Sequence, residues 1–374
     1  MNVLQVTKGA VMRGIERHTL TLLEGFKDRP VNMSLAVFTE GPLSAAARKL
    51  GVDVYVVQKR YRGDIAPLLK LIRLIKTKQI DIVHTHLISG NLYGRLAGKA
   101  TRVKGVVSTI HYSDKQALGP FSLPLMEDLF FKLDISMAFL SDRIVTPSAG
   151  LKHLLIKQGI KEDKIVSIHN AVNLDHLQIS EEDIRTCRQR LGFPLDVKLV
   201  GMVGRLVPVK NFGLFLKAAR RVIDSGIRAK FILIGNGPLR SELQKMVVKL
   251  CLTEQVIFMG FREDVFQVVS ILDLFVLCSN WETFPLAIIE AMALKRPVIA
   301  TKVGGVPEII DHMVNGWFCP PGDEVSLANS IIHLLGDEEK AIELGNRAHQ
   351  KVMTNFNLRT MTDKLLKVYC ELAH

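Results

Sequence analysis

The chain has 374 residues, which suits two domains of ordinary size, and its 48% hydrophobic and 23% charged residues exclude a disordered protein. The 49 Lys and Arg against 37 Asp and Glu leave a net charge of +12, which favours an anionic partner. Aromatic residues make up only 6% and do not interleave with basic runs, so we expect no nucleic acid among the partners.

The first half alternates short β-branched runs with amphipathic helical patterns, which predicts stacked βαβ units and a parallel sheet. Helical patterns include residues 15–26 and 65–79. Strands are predicted at 3–6, 33–38, 52–57, 81–86, 105–110 and 142–148.

The stretch 164–183 is looser and more polar, and the strand and helix rhythm restarts at Lys198, so this stretch is the best linker candidate. Two doubly wound halves follow from this pattern, with ligands expected at the carboxyl ends of the strands. In the second half, strands are predicted at 198–204, 230–235, 256–260, 272–278 and 297–301, and helices at 211–225, 239–250 and 284–294.

A Gly-x-Gly pair, Gly235 and Gly237, follows one of these strands and is reminiscent of a dinucleotide fingerprint. Arg240 stands where that fingerprint needs a third glycine, so we do not expect a nicotinamide cofactor. The sequence contains no P-loop and no Asp-x-Asp pair. We therefore expect neither a carboxylate-held metal nor another bound cofactor.

Two cations surround the loop after the strand 198–204. Arg205 follows the strand, and Lys210 stands at the mouth of the next helix. Two cations beside the free backbone N–H groups of a helix N-terminus suit a diphosphate. The alternative is a pair of solvated surface charges, and the strand-loop-helix context favours the diphosphate.

Two acids, Glu282 and Glu290, bracket the start of an apolar helix. We predict that Thr283 caps this helix, that Pro285 lies in its first turn, and that Glu290 lies about one turn inside on the same face as residue 286. Carboxylates at these positions suit neighbouring sugar hydroxyls. Spacing alone does not separate this interpretation from an acidic first turn stabilised by the helix dipole.

An ordered set of motifs resembles the retaining GT-B glycosyltransferases of family 4, the glycosyl transferases group 1. The resemblance spans nearly the whole chain, and its most specific part is the E-x7-E pair Glu282 and Glu290. The motifs are GIERH (14–18), HTHL (84–87), STIHY (108–112), IHNAVN (168–173), GRLVPVKN (204–211), GNGPLR (235–240), GFREDV (260–265), ETFPLAIIEAMA (282–293) and TKVGGVPEII (301–310).

The resemblance implies the GT-B fold, an α/β architecture of two Rossmann-like doubly wound domains facing each other across a cleft. The implied parts are an acceptor-binding N-terminal domain at 1–175, a linker at 176–197 and a nucleotide-sugar-binding domain at 198–355. A C-terminal helix at 356–374 is expected to cross back to the first domain.

The implied activity is that of a retaining hexosyltransferase. It moves a sugar from a UDP- or GDP-sugar to a glycan or lipid-linked acceptor in the biosynthesis of cell-surface polysaccharide or lipopolysaccharide. The nucleotide sugar is a substrate, and neither a metal nor a cofactor is expected. The alternatives are a sugar-nucleotide epimerase on the same scaffold and a non-catalytic nucleotide- or glycan-binding protein.

Roles follow by position from the resemblance. Arg205 and Lys210 would hold the diphosphate and offset leaving-group charge, and Glu282 would bind the donor sugar. Glu290 would bind the ribose, while His111 would face the anomeric carbon. His111, Glu282, Arg205 and Lys210 are thus the predicted catalytic set. Further donor contacts are expected from backbone N–H groups near Phe284 and Leu286, from the backbone around Phe261 and Arg262, and from Gly14.

The sequence departs from the family pattern at four positions where glycine is common: Arg13, Ala171, Thr283 and Lys295. None of them removes a charged catalytic position. Arg13 and Thr283 would lie near the expected phosphate and sugar, so the donor sugar cannot be borrowed from the family.

The basic excess suggests a membrane-associated acceptor. The stretch 58–78 reads as a basic amphipathic helix, and 117–133 adds apolar residues just after His111. The alternative is a domain helix with a solvated basic face. With no export signal, no membrane-spanning run and five scattered cysteines, we expect a cytoplasmic protein that is peripheral on the inner membrane face. The relevant helix residues are Leu68, Leu69, Lys70, Ile72, Arg73, Ile75, Lys76 and Lys78.

Overall fold

The computed structural model describes residues 1–12, 14–61, 63–111 and 132–373. It divides into two compact units. The first comprises Met1–Asn173 together with Leu358–His374, and the second comprises Leu174–Asn357. The segment 176–197, expected as a linker, clusters with the second unit and contains a helix, Glu181–Arg190. Ser180 caps this helix by accepting a hydrogen bond from the N–H of Asp183.

The first unit is built on a seven-stranded parallel sheet in the order β3-β2-β1-β4-β5-β6-β7. The six strands predicted from the sequence are confirmed to within two residues at each end. The short strand β7 was missed because its three residues lie inside the polar stretch interpreted as a linker. The strands are β1 (Asn2–Thr7), β2 (Asn32–Val37), β3 (Asp53–Val56), β4 (Ile82–His86), β5 (Gly105–Thr109), β6 (Arg143–Thr146) and β7 (Ile165–Ser167).

Helices cover both faces of this sheet, so its central strands are buried on both sides. On one face Leu22, Phe26 and Tyr369 pack over β1 and β4, and on the other face Leu71 and Tyr93 do so. The helices are α1 (Gly14–Gly25), α2 (Pro42–Lys49), α3 (Ala66–Thr77), α4 (Leu87–Thr101), α5 (Ala149–Lys157) and the C-terminal helix α14 (Leu358–Ala373).

The second unit repeats the arrangement with a six-stranded parallel sheet in the order β10-β9-β8-β11-β12-β13. Its five predicted strands and three predicted helices are confirmed to within two residues at each end. The three-residue strand β13 and the other five helices were not predicted. The strands are β8 (Lys198–Val203), β9 (Ala229–Ile234), β10 (Val256–Gly260), β11 (Leu274–Leu277), β12 (Val298–Thr301) and β13 (Trp317–Cys319). The helices are α6 (Glu181–Arg190), α7 (Phe212–Asp224), α8 (Arg240–Lys249), α9 (Val265–Ser270), α10 (Leu286–Ala293), α11 (Val306–Ile309), α12 (Glu324–Gly336) and α13 (Glu338–Asn355).

The end of α10 explains one departure from the family pattern. Lys295 follows the helix in the left-handed region, with φ at 58°. Glycine adopts this conformation without steric cost, which is why it is common at the position. The chain accepts a lysine there at the expense of some backbone strain.

No helix in the described part of the chain is both long enough and apolar enough to cross a membrane.

Candidate functional site

The loop after β8 carries the two predicted cations. Arg205 is exposed two residues beyond the strand, and Lys210 ends a 3-10 turn, Pro208–Lys210, directly before α7. Asn211 adopts a left-handed conformation and caps α7, because its side chain accepts a hydrogen bond from the N–H of Leu214 at 3.3 Å. The cap fixes where the 3-10 turn ends and so orients Lys210.

Lys210 and Glu282, predicted separately from different motifs, lie in direct contact. The Lys210 Nζ is 2.5 Å from Glu282 Oε1, and the Ser279 hydroxyl donates to the same oxygen at 2.6 Å. The Glu282 carboxylate is buried, with 8% of the residue exposed. Both donors reach Oε1, so Oε2 is the oxygen available to a donor from outside the protein.

The backbone of Glu282 is held by the loop after β12. Gly304 has φ at +50°, and a Cβ on it would lie 1.8 Å from the carbonyl oxygen of Glu282. The N–H of Gly305 donates to that carbonyl at 3.0 Å, and Thr301 Oγ1 donates to the carbonyl of Ser279 at 2.6 Å. The motif 301–310 thus holds the backbone of Glu282, which lies in the loop before α10. Its paired glycines were the only signal for this in the sequence.

Helix α10 begins later than predicted. It starts at Leu286 with Pro285 as the N-cap residue and no side-chain cap, so the prediction that Thr283 caps it is wrong. Thr283 lies two residues outside the cap and is too far back to meet the first free N–H groups. Glu290 lies one turn after Leu286, buried with 7% exposed. Phe284 packs its ring against Phe356, 5.5 Å away between centroids.

The Gly-x-Gly pair has a packing role within the second unit. Gly235 has φ at +133°, and a Cβ there would lie 2.0 Å from the carbonyl oxygen of Gly204. A Cβ on Gly237 would lie 2.4 Å from the carbonyl oxygen of Leu206. These glycines let the loop after β9 lie against the backbone on both sides of Arg205.

The segment after β10 presents backbone and one exposed ring. Phe261 is 58% exposed. The guanidinium of Arg262 binds the carboxylate of Asp264 through two hydrogen bonds, 2.7 and 2.6 Å long. This bonding lowers the pKa of Asp264. The Arg262 side chain is therefore engaged within the protein, and it is the backbone here that was predicted to meet the base.

In the first unit, His111 follows β5 and lies among three other histidines. The ring of His86 meets it edge to edge, with 5.6 Å between centroids and 28° between the ring planes, and the rings of His18 and His111 lie 5.0 Å apart in a T-shaped contact. His84 lies next to His86, 4.5 Å away between ring centroids. His18, His86 and His111 each offer a ring nitrogen within 4.8 Å of the other two, a spacing that could accommodate a divalent ion.

Burial keeps these imidazoles neutral. It lowers the pKa of His18 to about 4 and that of His84 to about 3. Burial, followed by the neighbouring rings, also lowers the pKa of His86 and of His111 well below the usual value for histidine. At neutral pH each ring therefore has one N–H and one lone pair.

Gly14 is the first residue of α1 and is exposed, and none of the described residues beyond its chain neighbours has an atom within 4 Å of where a Cβ would lie. Arg13 lies outside the described residues, as does most of the apolar segment predicted at 117–133. Among the residues that departed from the family pattern, Ala171 is buried in the core of the first unit.

Helix α3 uses its apolar face in the domain core. Leu71 and Ile75 are buried in the core with residues of α4 and the sheet, so they are not available to a membrane. Of the apolar residues predicted for a membrane face, only Leu69 is well exposed.

Two family models match the chain: Glycosyltransferase Family 4 over residues 12–176 and Glycosyl transferases group 1 over residues 183–351. UDP-Gal:alpha-D-GlcNAc-diphosphoundecaprenol alpha-1,3-galactosyltransferase from Escherichia coli is 26% identical, over 97% of this chain and 95% of that protein. N-acetyl-alpha-D-glucosaminyl L-malate synthase from Bacillus anthracis is 28% identical, over 85% of this chain and 82% of that enzyme.

The structure of Anabaena HepE in complex with UDP and glucose resembles this one with a TM-score of 0.88 at 22% identity, over 99% of this chain and 100% of that chain. The likeness and the two parallel sheets confirm the predicted fold class, GT-B, a fold of glycosyltransferases. The chain belongs to glycosyltransferase family 4, the glycosyl transferases group 1, as its motifs predicted.

Proposed function

We propose that this glycosyltransferase moves a hexose from a UDP- or GDP-sugar to a glycan or lipid-linked acceptor with retention of configuration. The main support is the pairing of Lys210 with Glu282, whose second oxygen remains available. A cation and an oriented carboxylate side by side match the two halves of a sugar diphosphate. A UDP donor is favoured by the name of the Escherichia coli relative and by the UDP in the Anabaena complex.

Apart from Gly14, the proposed donor contacts use groups of the second unit. Arg205 and Lys210 bind the diphosphate, and Glu282 Oε2 accepts hydrogen bonds from the sugar hydroxyls. Glu290 binds the ribose. Backbone N–H groups near Phe284 and Leu286, at the N-terminus of α10, bind phosphate oxygens in this proposal. Backbone at Phe261 and Arg262 meets the base.

The proposed chemistry needs no metal, because Arg205 and Lys210 offset the charge that develops on the leaving diphosphate. The bond from the anomeric carbon to the diphosphate oxygen breaks, and the acceptor oxygen bonds to that carbon on the same face. The acceptor proton passes to an oxygen of the leaving phosphate. His111 faces the anomeric carbon in this proposal and, being neutral, can accept a hydrogen bond there.

For the acceptor we propose a lipid-linked glycan reached at an anionic membrane surface. Tyr61, Ile65 and Leu69 are 65%, 60% and 59% exposed, and the basic residues Lys70 and Arg73 follow on the exposed side of α3. Cosedimentation with anionic vesicles tests the proposal. Binding that is equal for neutral vesicles, or absent for both, would reject it.

A thermal-shift panel of UDP- and GDP-sugars tests the donor proposal directly. A donor at about 100 times its Kd should stabilise the protein by about 2.7 kcal/mol. Glu290→Ala should lose most of this shift if Glu290 holds the ribose.

Two other outcomes would indicate a different function. Turnover of a donor without any acceptor would indicate an epimerase. Binding without turnover for every acceptor tried would indicate a non-catalytic binding protein.

Transfer should survive EDTA, and added Mg²⁺ should not increase it, since Arg205 and Lys210 take the place of a metal on the diphosphate. Initial rates before and after chelation, followed by readdition of Mg²⁺ or Mn²⁺, provide the measurement. A rate that falls to background and returns with the metal would reject the metal-free proposal.

Gly14→Ala should leave the melting temperature unchanged and weaken donor binding by about tenfold, on the order of 1.4 kcal/mol. The added methyl group meets no atom of the described residues within 4 Å, apart from its chain neighbours, so a ligand close to the backbone would contact it. Gly336→Ala also adds a methyl group that meets nothing within 4 Å in the described part of the chain; it is the matched control and should leave donor affinity unchanged. Equal affinities for the two variants would remove Gly14 from the donor site.

A further inference from the structure

A continuous series of hydrogen bonds links the C-terminal helix, α14, to His111. The side chain of Gln5, on β1, stands at its centre. The Gln5 Nε2 is 3.1 Å from the Tyr369 hydroxyl of α14, and Gln5 Oε1 is 2.7 Å from His86 Nε2. The His86 Nδ1 is in turn 3.3 Å from His111 Nε2. Gln5, His86 and Tyr369 are completely buried, so no water competes for these bonds.

The direction of this series follows from the Gln5 amide, whose oxygen faces His86 and whose nitrogen faces Tyr369. An amide oxygen only accepts, so the His86 Nε2 facing Gln5 Oε1 has the proton. A neutral imidazole has one N–H, so His86 Nδ1 has the lone pair, and His111 Nε2 must donate to it. The ring nitrogen of His111 that remains as an acceptor is then Nδ1.

The far end of the series is consistent with this direction. Gln5 Nε2 donates to the Tyr369 hydroxyl, which donates to His84 Nδ1 at 2.6 Å. His84 Nε2 then donates to Thr109 Oγ1 at 2.7 Å. Gln5 Nε2 also lies 3.4 Å from His84 Nδ1. The Tyr369 hydroxyl can both accept and donate, so it accommodates the Gln5 amide in this orientation.

We infer that Gln5, oriented by Tyr369, is a positioning residue that holds His111 as the Nε2–H tautomer with Nδ1 as its acceptor. The inference rests on the proposed function only in giving His111 a place at the reacting sugar. Its chemical content is that His111 offers substrate a lone pair and no proton. Nothing in the sequence motifs pointed to Gln5 or to Tyr369, because they lie 364 residues apart.

The same geometry distinguishes this arrangement from a metal site. A divalent ion shared by His86 and His111 would need a lone pair on both facing nitrogens. In the proposed network one of those two nitrogens holds the proton that joins them. Saturable binding of Zn²⁺ or Co²⁺ by the wild-type protein, lost in His86→Gln, would therefore overturn the inference.

The direct test is the tautomer of His111, read from the ring ¹⁵N shifts in long-range ¹H–¹⁵N spectra and assigned with His111→Gln. The wild-type chain should show the Nε2–H form at pH 7. Gln5→Glu should reverse it: the carboxylate favours a protonated His86, which then donates from Nδ1 to His111 Nε2. A wild-type His111 with its proton on Nδ1, or an unchanged tautomer in Gln5→Glu, would overturn the inference.

Activity provides a second readout. Gln5→Met and Tyr369→Phe keep the size of the side chain and remove its bonds to the network. We expect kcat to fall by about a hundredfold in Gln5→Met and about tenfold in Tyr369→Phe, with KM for the donor unchanged. Thr109→Val, which removes only the His84 branch, is the control and should keep both kcat and the His111 tautomer.

The outcomes separate the inference from the proposed function. If His111→Gln transfers sugar at the wild-type rate, the place of His111 at the reacting sugar is wrong. The tautomer measurement would still test the positioning role of Gln5, because it does not depend on sugar transfer. If His111→Gln is inactive but Gln5→Met keeps both kcat and the tautomer, the positioning role of Gln5 is wrong. The wild-type spectrum decides the matter even where a variant fails to fold.

Discussion

Replacing Arg205 and Lys210 together by alanine should reduce sugar transfer by at least about a thousandfold, while the second unit still unfolds cooperatively. The two cations are proposed to offset the charge on the leaving diphosphate, and a thousandfold loss corresponds to about 4 kcal/mol of transition-state stabilisation. The measurement is kcat at saturating donor, together with a thermal melt of each variant. Normal turnover would remove both residues from the diphosphate site.

Two controls isolate the effect. Lys217→Ala with Arg221→Ala removes the same charge from α7, where both side chains pair with Glu324 on the surface, and should cost little activity.

The second control concerns the ion pair between Lys210 and Glu282. Lys210→Ala alone leaves the buried Glu282 with Ser279 as its remaining partner. Lys210→Met with Glu282→Gln removes both charges of that pair. A comparison of their melting temperatures separates the loss of the ion pair from the loss of a phosphate ligand.

The first unit should lose stability between pH 7 and pH 5 because of its buried histidines. In the unfolded chain a histidine takes up a proton near pH 6.5, whereas burial lowers the pKa of His18 to about 4. The unfolded state therefore binds more protons in this window, and the free energy of unfolding falls as the pH falls. His18 alone should contribute on the order of 2 kcal/mol at pH 5.

His18→Phe should flatten this pH dependence by about one proton, because phenylalanine fills the position without titrating. The buried Nδ1 of His18 has no hydrogen-bond partner among the described residues, so the change removes no bond from that atom. Trp281 and Trp317 both lie in the second unit, so calorimetry at pH 7, 6 and 5 is the suitable method. An unchanged slope in the variant would show that His18 is not a buried neutral group.

The sequence predicted the fold well because a parallel sheet leaves a strong local pattern. Strands such as β11 and β12 are continuous apolar or β-branched runs, and helices alternate with the strands along the chain. The two strands that were missed, β7 and β13, have three residues each and no periodicity to detect. Their pairing depends on a neighbouring strand that is already in place.

The site was less accessible to sequence reasoning. Lys210 and Glu282 each stood out in a motif, but their contact is a tertiary fact, and Ser279 and Gly304 were recognised only once the loops were in place. The Thr283 cap failed because Pro285, extended at ψ 112°, delays the start of the helix. Side-chain networks between residues far apart in the chain produce no regular spacing in the sequence from which they could be predicted. The roles assigned to the site residues remain predictions for the experiments above.

The placement of α14 in the first unit has a consequence for how the protein is made. The second unit is complete in sequence at residue 357, whereas the core of the first still lacks Leu365, Val368 and Tyr369. During synthesis, the unit that begins first is therefore the last that can close. Until residue 369 has left the ribosome, Gln5 and His84 lack their tyrosine partner and the buried histidines remain open to water. The side chain of His111, which is proposed to meet the sugar, can therefore be oriented only after Tyr369 has been added.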